Sequence, residues 1–172
     1  MPVTFRKAAA SDIDAVTAIY DAIHTEEEAG RTTTGWKRGI YPVRATAEAA
    51  LTRGDLFVAE LGGRVAAAAV LNQIQVDVYA GAPWEFEAPD EEIFVMHTLV
   101  VDPAAGGHGL GRAFDIFYEQ EAARQELKSQ EAEINKVIAD IQGQEQEAQA
   151  AIKALEAAAS AMDAEIRKKE KE

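Results

Sequence analysis

A chain of 172 residues, 48% of them apolar, can build one domain of ordinary size plus an appendage. The absence of cysteine excludes disulfides, zinc fingers and thiol nucleophiles, and a formal net charge of −13 excludes general nucleic-acid binding, which needs a basic footprint. No apolar run approaches the roughly 20 residues of a membrane span, and MPVTFRKAAASDID has no signal-peptide core, so the expectation is a soluble, cytoplasmic protein without a membrane partner.

In chain order, Val3 to Arg6 reads as a short strand. Ser11 is the expected helix N-cap, with Asp14 three residues on in a capping-box pattern. Ile13, Val16, Ile19, Tyr20 and Ile23 then recur at helical spacing, and this helix ends before Gly30. A shorter helix runs from about Ala45 to Arg53 and stops at Gly54. The stretch DLFVAELGGRVAAAAVLNQIQV predicts a hairpin turning at Gly62-Gly63. Glu92 to Val101 predicts a strand, almost wholly apolar, so that it should be central and covered on both faces. A glycine loop follows, and a helix opens near Leu110. The order β-α-α-β-β-β-α predicts an α+β fold around a mixed sheet rather than a doubly wound one.

The loop in VVDPAAGGHGLGRAF carries Gly106, Gly107 and Gly109, with Gly111 just beyond. Glycines let backbone N–H groups converge on an anion, and the helix that follows adds unpaired donors and the positive end of its dipole. Gly111 is followed by Arg112-Ala113, not by the Lys-Ser/Thr of a Walker loop, and the dinucleotide spacing G-x-G-x-x-G is not met. By spacing alone, an anion site and a plain flexible turn fit equally.

LVVDPAAGGHGLGRAF resembles motif A of the GNAT superfamily of acyl-CoA N-acyltransferases: a strand, a Gln/Arg-x-x-Gly-x-Gly/Ala loop and a helix. Gly109 and Gly111 fall on the two small-residue positions, while Gly106 stands where the family has Gln or Arg. The order of elements is also similar, over residues 1 to about 124. The resemblance implies an acetyl-CoA acyl donor and no metal. Its pyrophosphate would meet Gly106, Gly107, His108, Gly109, Leu110, Gly111, Arg112 and Ala113, and its pantetheine arm would lie along Leu99, Val100 and Val101. The acceptor would be a small-molecule or peptide amine.

Transfer to an amine needs a base for the ammonium proton, donors for the oxyanion and an acid for the leaving thiolate. His97, in FVMHTLVV, has a side chain suited to the base, and some members of the resembled family carry a histidine near this position; a histidine bonded to backbone is the competing reading. Glu92 is a second candidate at the strand's start, and Glu85, Glu87, Asp90, Glu91 and Glu92 together could form an acidic rim that draws a cationic amine. His108 could meet a phosphate or simply face water. Trp36, Tyr41 and Trp84 fall in loops where the resembled fold builds its acceptor pocket.

The chain changes character near Gln125. Residues 1–125 hold all five prolines, every aromatic and all the glycines but Gly143; the rest is rich in Glu, Gln, Ala and Lys. The domains expected are therefore 1–124, a GNAT-like unit truncated after its motif A helix, and 125–172, a heptad-patterned helical segment. The elements that would bear the thiolate's acid and the far wall of the cleft are not recognisable after Gln125, which would leave the strand before the loop as an open apolar edge.

Leu127, Ile134, Ile141, Ala148, Leu155 and Met162 fall seven apart, and Glu131, Ile138, Glu145, Ile152, Ala159 and Ile166 lie four after each. That is a d-and-a seam. One continuous helix from the loop, about 90 Å long at 1.5 Å per residue, and a helical hairpin turning at Gly143 both remain open. A seam of this length calls for a partner, so homo-oligomerisation is expected. Two functions follow: an acetyl-CoA-dependent N-acetyltransferase, or a non-catalytic oligomerising protein built from a truncated acetyltransferase half and a coiled coil.

Overall fold

The computed structural model describes residues 2–79, 81–86 and 88–169. Two compact units divide the chain, Met1–Arg124 and Gln125–Glu172. The first holds strands β1 (Val3–Lys7), β2 (Leu56–Leu61), β3 (Arg64–Asn72) and β4 (Val95–Val101), helices α1 (Ile13–Glu28) and α2 (Arg44–Arg53), and the opening turns of α3 (Leu110–Lys169).

The strands lie in the order β1-β2-β3-β4, and every pairing is antiparallel. A mixed sheet needs a parallel neighbour, and among the described residues no strand follows α3. The Gly62-Gly63 turn between β2 and β3 has positive φ at both residues, 62° and 78°, the twist a two-residue hairpin needs. Side chains alternate between two cores. Leu56, Val58, Ala68, Val70 and Val100 pack against Ile13, Val16, Ile19 and Tyr20 of α1 and Ala47 and Ala50 of α2. Phe57, Ala59, Ala67, Ala69 and Leu71 pack against Leu110 and Phe114 of α3. The central strands buried on both faces are thus β2 and β3, and β3 carries the alanine run 66–69.

Two expectations are corrected here. The strand before the loop begins at Val95 rather than Glu92, and it is an edge strand with half-buried faces, not a central one. Its apolar run reflects α3 on one face and α1 on the other, which sequence cannot tell from sheet neighbours. Ser11 is also not the cap of α1. A 3-10 turn, Ala10–Asp12, precedes that helix, and Asp12 takes the capping position. The Asp12 carboxylate turns back to accept from the Ala9 amide at 2.7 Å and from both terminal nitrogens of Arg6 at 2.6 and 2.9 Å.

Helix α2 stops where expected, because Gly54 adopts φ +78° as a left-handed C-cap. In α3 the aromatic side of the first turns fills the second core: Phe5 stacks on Phe117 with centroids 4.7 Å apart and meets Phe114 edge-on at 5.3 Å. Glu121 is the last buried residue of α3, and residues 125–169 are exposed throughout. That segment is helical through Gly143, so the hairpin alternative does not hold.

Candidate functional site: the β4 bulge and the glycine loop

Strand β4 does not pair evenly with β3. Ala68 faces Val100 but Val70 faces His97, so Thr98 and Leu99 together oppose Ala69. This is a bulge. Thr98 takes φ +52° and is the sole non-glycine with positive φ among the described residues, a conformation costly for a β-branched side chain. It is held from above: the Tyr41 and Thr98 hydroxyls are hydrogen-bonded to each other.

Beyond the bulge, the Asp102 amide donates to the Ala66 carbonyl at 2.8 Å. Antiparallel alternation then turns the backbone of Val100 toward β3 and leaves that of Val101, and of Leu99 at the bulge, on the open edge. Val100 is instead a core residue, 2% exposed.

The loop begins as a 3-10 turn, Pro103–Ala105, in which the Asp102 carboxylate accepts from the Ala104 amide at 2.9 Å. The Gly106 amide donates to the Pro103 carbonyl at 3.1 Å, and a Cβ at Gly106 would approach that same oxygen to 3.1 Å. Glycine is therefore favoured there by close approach, and its amide is engaged inside the turn. Gly107 and Gly109 take φ +78° and +69°. His108 is exposed, and its Nδ1–H is shared between the carbonyls of Ala105 and Gly106 at 3.2 and 3.1 Å, leaving Nε2 free to accept. Leu110, 2% exposed, pins the first turn of α3 into the core.

The chain thereby presents the amides of Gly107, His108, Gly109, Leu110, Gly111 and Arg112 with no acceptor among the described residues, whereas the Ala113 amide donates to the Gly109 carbonyl at 2.9 Å. No heavy atom lies within 4 Å of where a Cβ would stand at Gly107, Gly109 or Gly111. The Arg112 side chain is exposed and makes no ion pair among the described residues. A helix N-terminus, a run of free amides and an unpaired guanidinium form a donor set fitted to a phosphate-bearing ligand.

His97 is half-buried and opposite Val70, and its Nε2–H donates to the Ile74 carbonyl at 2.9 Å. With the proton fixed on Nε2, Nδ1 is the proton acceptor. Glu92 is exposed and sits in the 3-10 turn Asp90–Glu92 ahead of β4, not on the strand. Glu85 and Asp90 are also exposed; Glu87 and the side chain of Glu91 lie outside the described residues. Trp36 meets Tyr41 edge-on at 5.8 Å, near the bulge, whereas Trp84 pairs with Tyr79 at 5.9 Å.

Sequence reasoning missed the polar interior behind Tyr41. His24, 2% exposed, donates from Nε2 to the Pro42 carbonyl at 2.9 Å, and its buried Nδ1 has no partner among the described residues. One turn earlier on α1, the buried Tyr20 hydroxyl is likewise unpartnered, and burial first, then the neighbouring Tyr41, push its pKa up to about 12. The i, i+4 spacing of Tyr20 and His24 on the apolar face was the available signal. On α3, the Tyr118 hydroxyl donates to the Phe94 carbonyl while the two rings stack 5.6 Å apart.

Among the described residues, no three His, Asp or Glu side chains gather to hold a metal ion, and no helix is long and apolar enough to cross a membrane. No family model and no curated protein matches the sequence. Solved structures do match. A GNAT-family acetyltransferase from Streptococcus agalactiae superposes with TM-score 0.54 at 21% identity, over 63% of this chain and 64% of that one. A ribosomal-protein-alanine N-acetyltransferase from Brucella melitensis superposes with TM-score 0.51 at 21% identity, over 71% of this chain and 68% of that one. The chain thus has a GNAT-like fold, and it spans just under two thirds of the streptococcal protein.

Proposed function

We propose that residues 1–124 form the acyl-CoA-binding unit of an N-acetyltransferase that moves an acetyl group from acetyl-CoA to an amine. The observation that carries this reading is the run of free amides from Gly107 to Arg112 at the start of α3, beside the open edge of β4. Those amides and Arg112 would hold the pyrophosphate, and the backbone of Leu99 and Val101 would bond the pantetheine arm. When bound, acetyl-CoA would supply an activated thioester carbonyl. Nδ1 of His97 would take the ammonium proton of the amine, and Glu85, Asp90 and Glu92 would raise the local concentration of a cationic acceptor. A chain without cysteine suits a cytoplasmic setting.

Isothermal calorimetry with acetyl-CoA tests the reading. Binding in the micromolar range is expected, abolished by Gly109→Asp, which adds both a carboxylate and a strained φ at the pocket. A folded sample that gives no heat would end it. In an amine acetylation assay, His97→Gln should lower kcat with little change in acetyl-CoA affinity.

A second reading, a non-catalytic interaction protein, is favoured by one observation: residues 125–169 expose Leu127, Ile134, Ile141, Ile152, Leu155 and Ile166 along one helix. Acetyl-CoA binding without turnover on any amine would support it.

A further inference from the structure

We infer that residues 125–169 pair with the same segment of a second copy of this chain, antiparallel, in a register centred between Gln146 and Glu147. This goes beyond the acetyltransferase reading and does not depend on it.

The seam is continuous, since the helix runs unbroken through Gly143, and its residues are exposed throughout. It extends over about six heptads, more than a coiled coil needs. The choice of orientation comes from the residues that interrupt it. In a parallel, in-register pair each seam residue meets its own counterpart. Glu131 would face Glu131 and Glu145 would face Glu145, setting like charges against each other inside the interface. Ala148 and Ala159 would face themselves and leave their layers underfilled. Arg167, Lys168 and Lys169 would lie beside an identical basic cluster.

Antiparallel pairing about Gln146–Glu147 relieves these conflicts everywhere except in the two central layers. Glu131 then faces Met162, far from its own copy, and Glu145 faces Ala148, with the two Glu145 side chains in neighbouring layers about 4.5 Å apart along the axis instead of in one layer. Ile134 fills the layer of Ala159, Ile138 meets Leu155, and Ile141 meets Ile152. Beside the seam, Lys128 comes next to Asp163, and the basic end of the helix no longer lies beside its own copy. Apolar bulk and charge are better matched in this register than in the parallel one.

The lack of native cysteine makes the test direct. Full-length Ile141→Cys and Ile152→Cys chains are oxidised separately and as an exchanged equimolar mixture, then run on a non-reducing gel. Both sites are exposed, so folding of the rest is undisturbed. In the inferred register each cysteine lies about 16 Å from its own counterpart, eleven residues at 1.5 Å rise, but faces the other site directly. A disulfide-linked dimer in the mixture, absent from either variant alone, is the expected result. A crosslink in Ile152→Cys alone means parallel pairing and overturns the inference. So does the absence of any crosslink, whether sedimentation then gives the 18.6 kDa of one chain or a dimer in another register.

Discussion

The hydroxyl of Tyr41, in the connection between α1 and α2, is hydrogen-bonded to the hydroxyl of Thr98, the residue that bulges out of β4 with φ +52°. One interaction thus joins the roof over the first core to the strained point of the strand that leads into the glycine loop. Tyr41→Phe should lower stability by about 1 kcal/mol, the net worth of one part-buried hydrogen bond. Thr98→Gly loses the same bond but releases the strain of a β-branched residue at positive φ, so its loss should be smaller than that of Thr98→Ala. Chemical denaturation of the three variants checks the order. If Thr98→Ala were the most stable of the three, the strain at the bulge would be refuted.

The loop glycines should respond unequally. Gly109 has φ +69°, whereas Gly111 is an ordinary helical residue with open space around it. Gly109→Ala should cost about 1–2 kcal/mol of local strain and weaken acetyl-CoA binding at least tenfold. Gly111→Ala should stabilise the helix by up to about 1 kcal/mol and leave binding within a few-fold. Titration calorimetry on both variants checks this, and equal losses would remove backbone conformation as the cause.

Phe114 is fully buried between Phe5 and Phe117 and anchors α3 to the sheet. Phe114→Ala should destabilise the first unit by about 3–5 kcal/mol. Near-ultraviolet dichroism reports the aromatic cluster, while far-ultraviolet helicity carried by residues 125–169 should outlast it on heating if the two units unfold separately. Loss of both signals in one transition would show them to be coupled.

Asp12 supplies an acid-labile tie. The Arg6 guanidinium, and after it the Ala9 amide, hold its carboxyl below the usual carboxylate range against the opposing effect of burial. A carboxylate depressed in the folded state contributes stability that is fully present above its unfolded pKa of about 4 and is lost as pH falls through the lower folded value. Asp12→Asn should therefore be less stable than the parent at pH 7 and should flatten the acid limb of a stability-against-pH curve. An unchanged acid limb would assign acid sensitivity to other groups.

The sequence made legible whatever depends on short-range pattern. The glycine at 54, the Gly62-Gly63 turn and the 3.6-residue periodicity of α1 are local signals, and each element lies where its pattern places it. The loop was legible because glycines at 107 and 109 are demanded by positive φ. What could not be read depends on partners distant in sequence. Thr98 is unremarkable in a strand, and only the register against Ala69 makes it a bulge. Ser11 reads as a cap, but the turn opens earlier, where the Asp12 carboxylate accepts from the Ala9 amide and from Arg6, a partner only the fold supplies. The apolar run of β4 has the same appearance whether its faces are covered by helices or its edges by strands, so its place at the edge followed only from the lack of a strand-like run after Gln125.

The alanine run of β3 has a consequence for mutational tolerance. Ala66, Ala67, Ala68 and Ala69 are each at most 5% exposed; Ala68 points into the core under α1 and α2, and the other three into the core under α3. At these positions nothing remains to truncate, so the damage that usually follows from hollowing out an interior does not arise. Growth is the forbidden direction: each added methylene must displace α1 and α2 on one side or α3 on the other, in interiors already close-packed. The middle of the sheet is therefore a gauge that fixes how near the helices can come. Variation there should be confined to the smallest side chains, while the larger residues of the helices exchange shape among themselves.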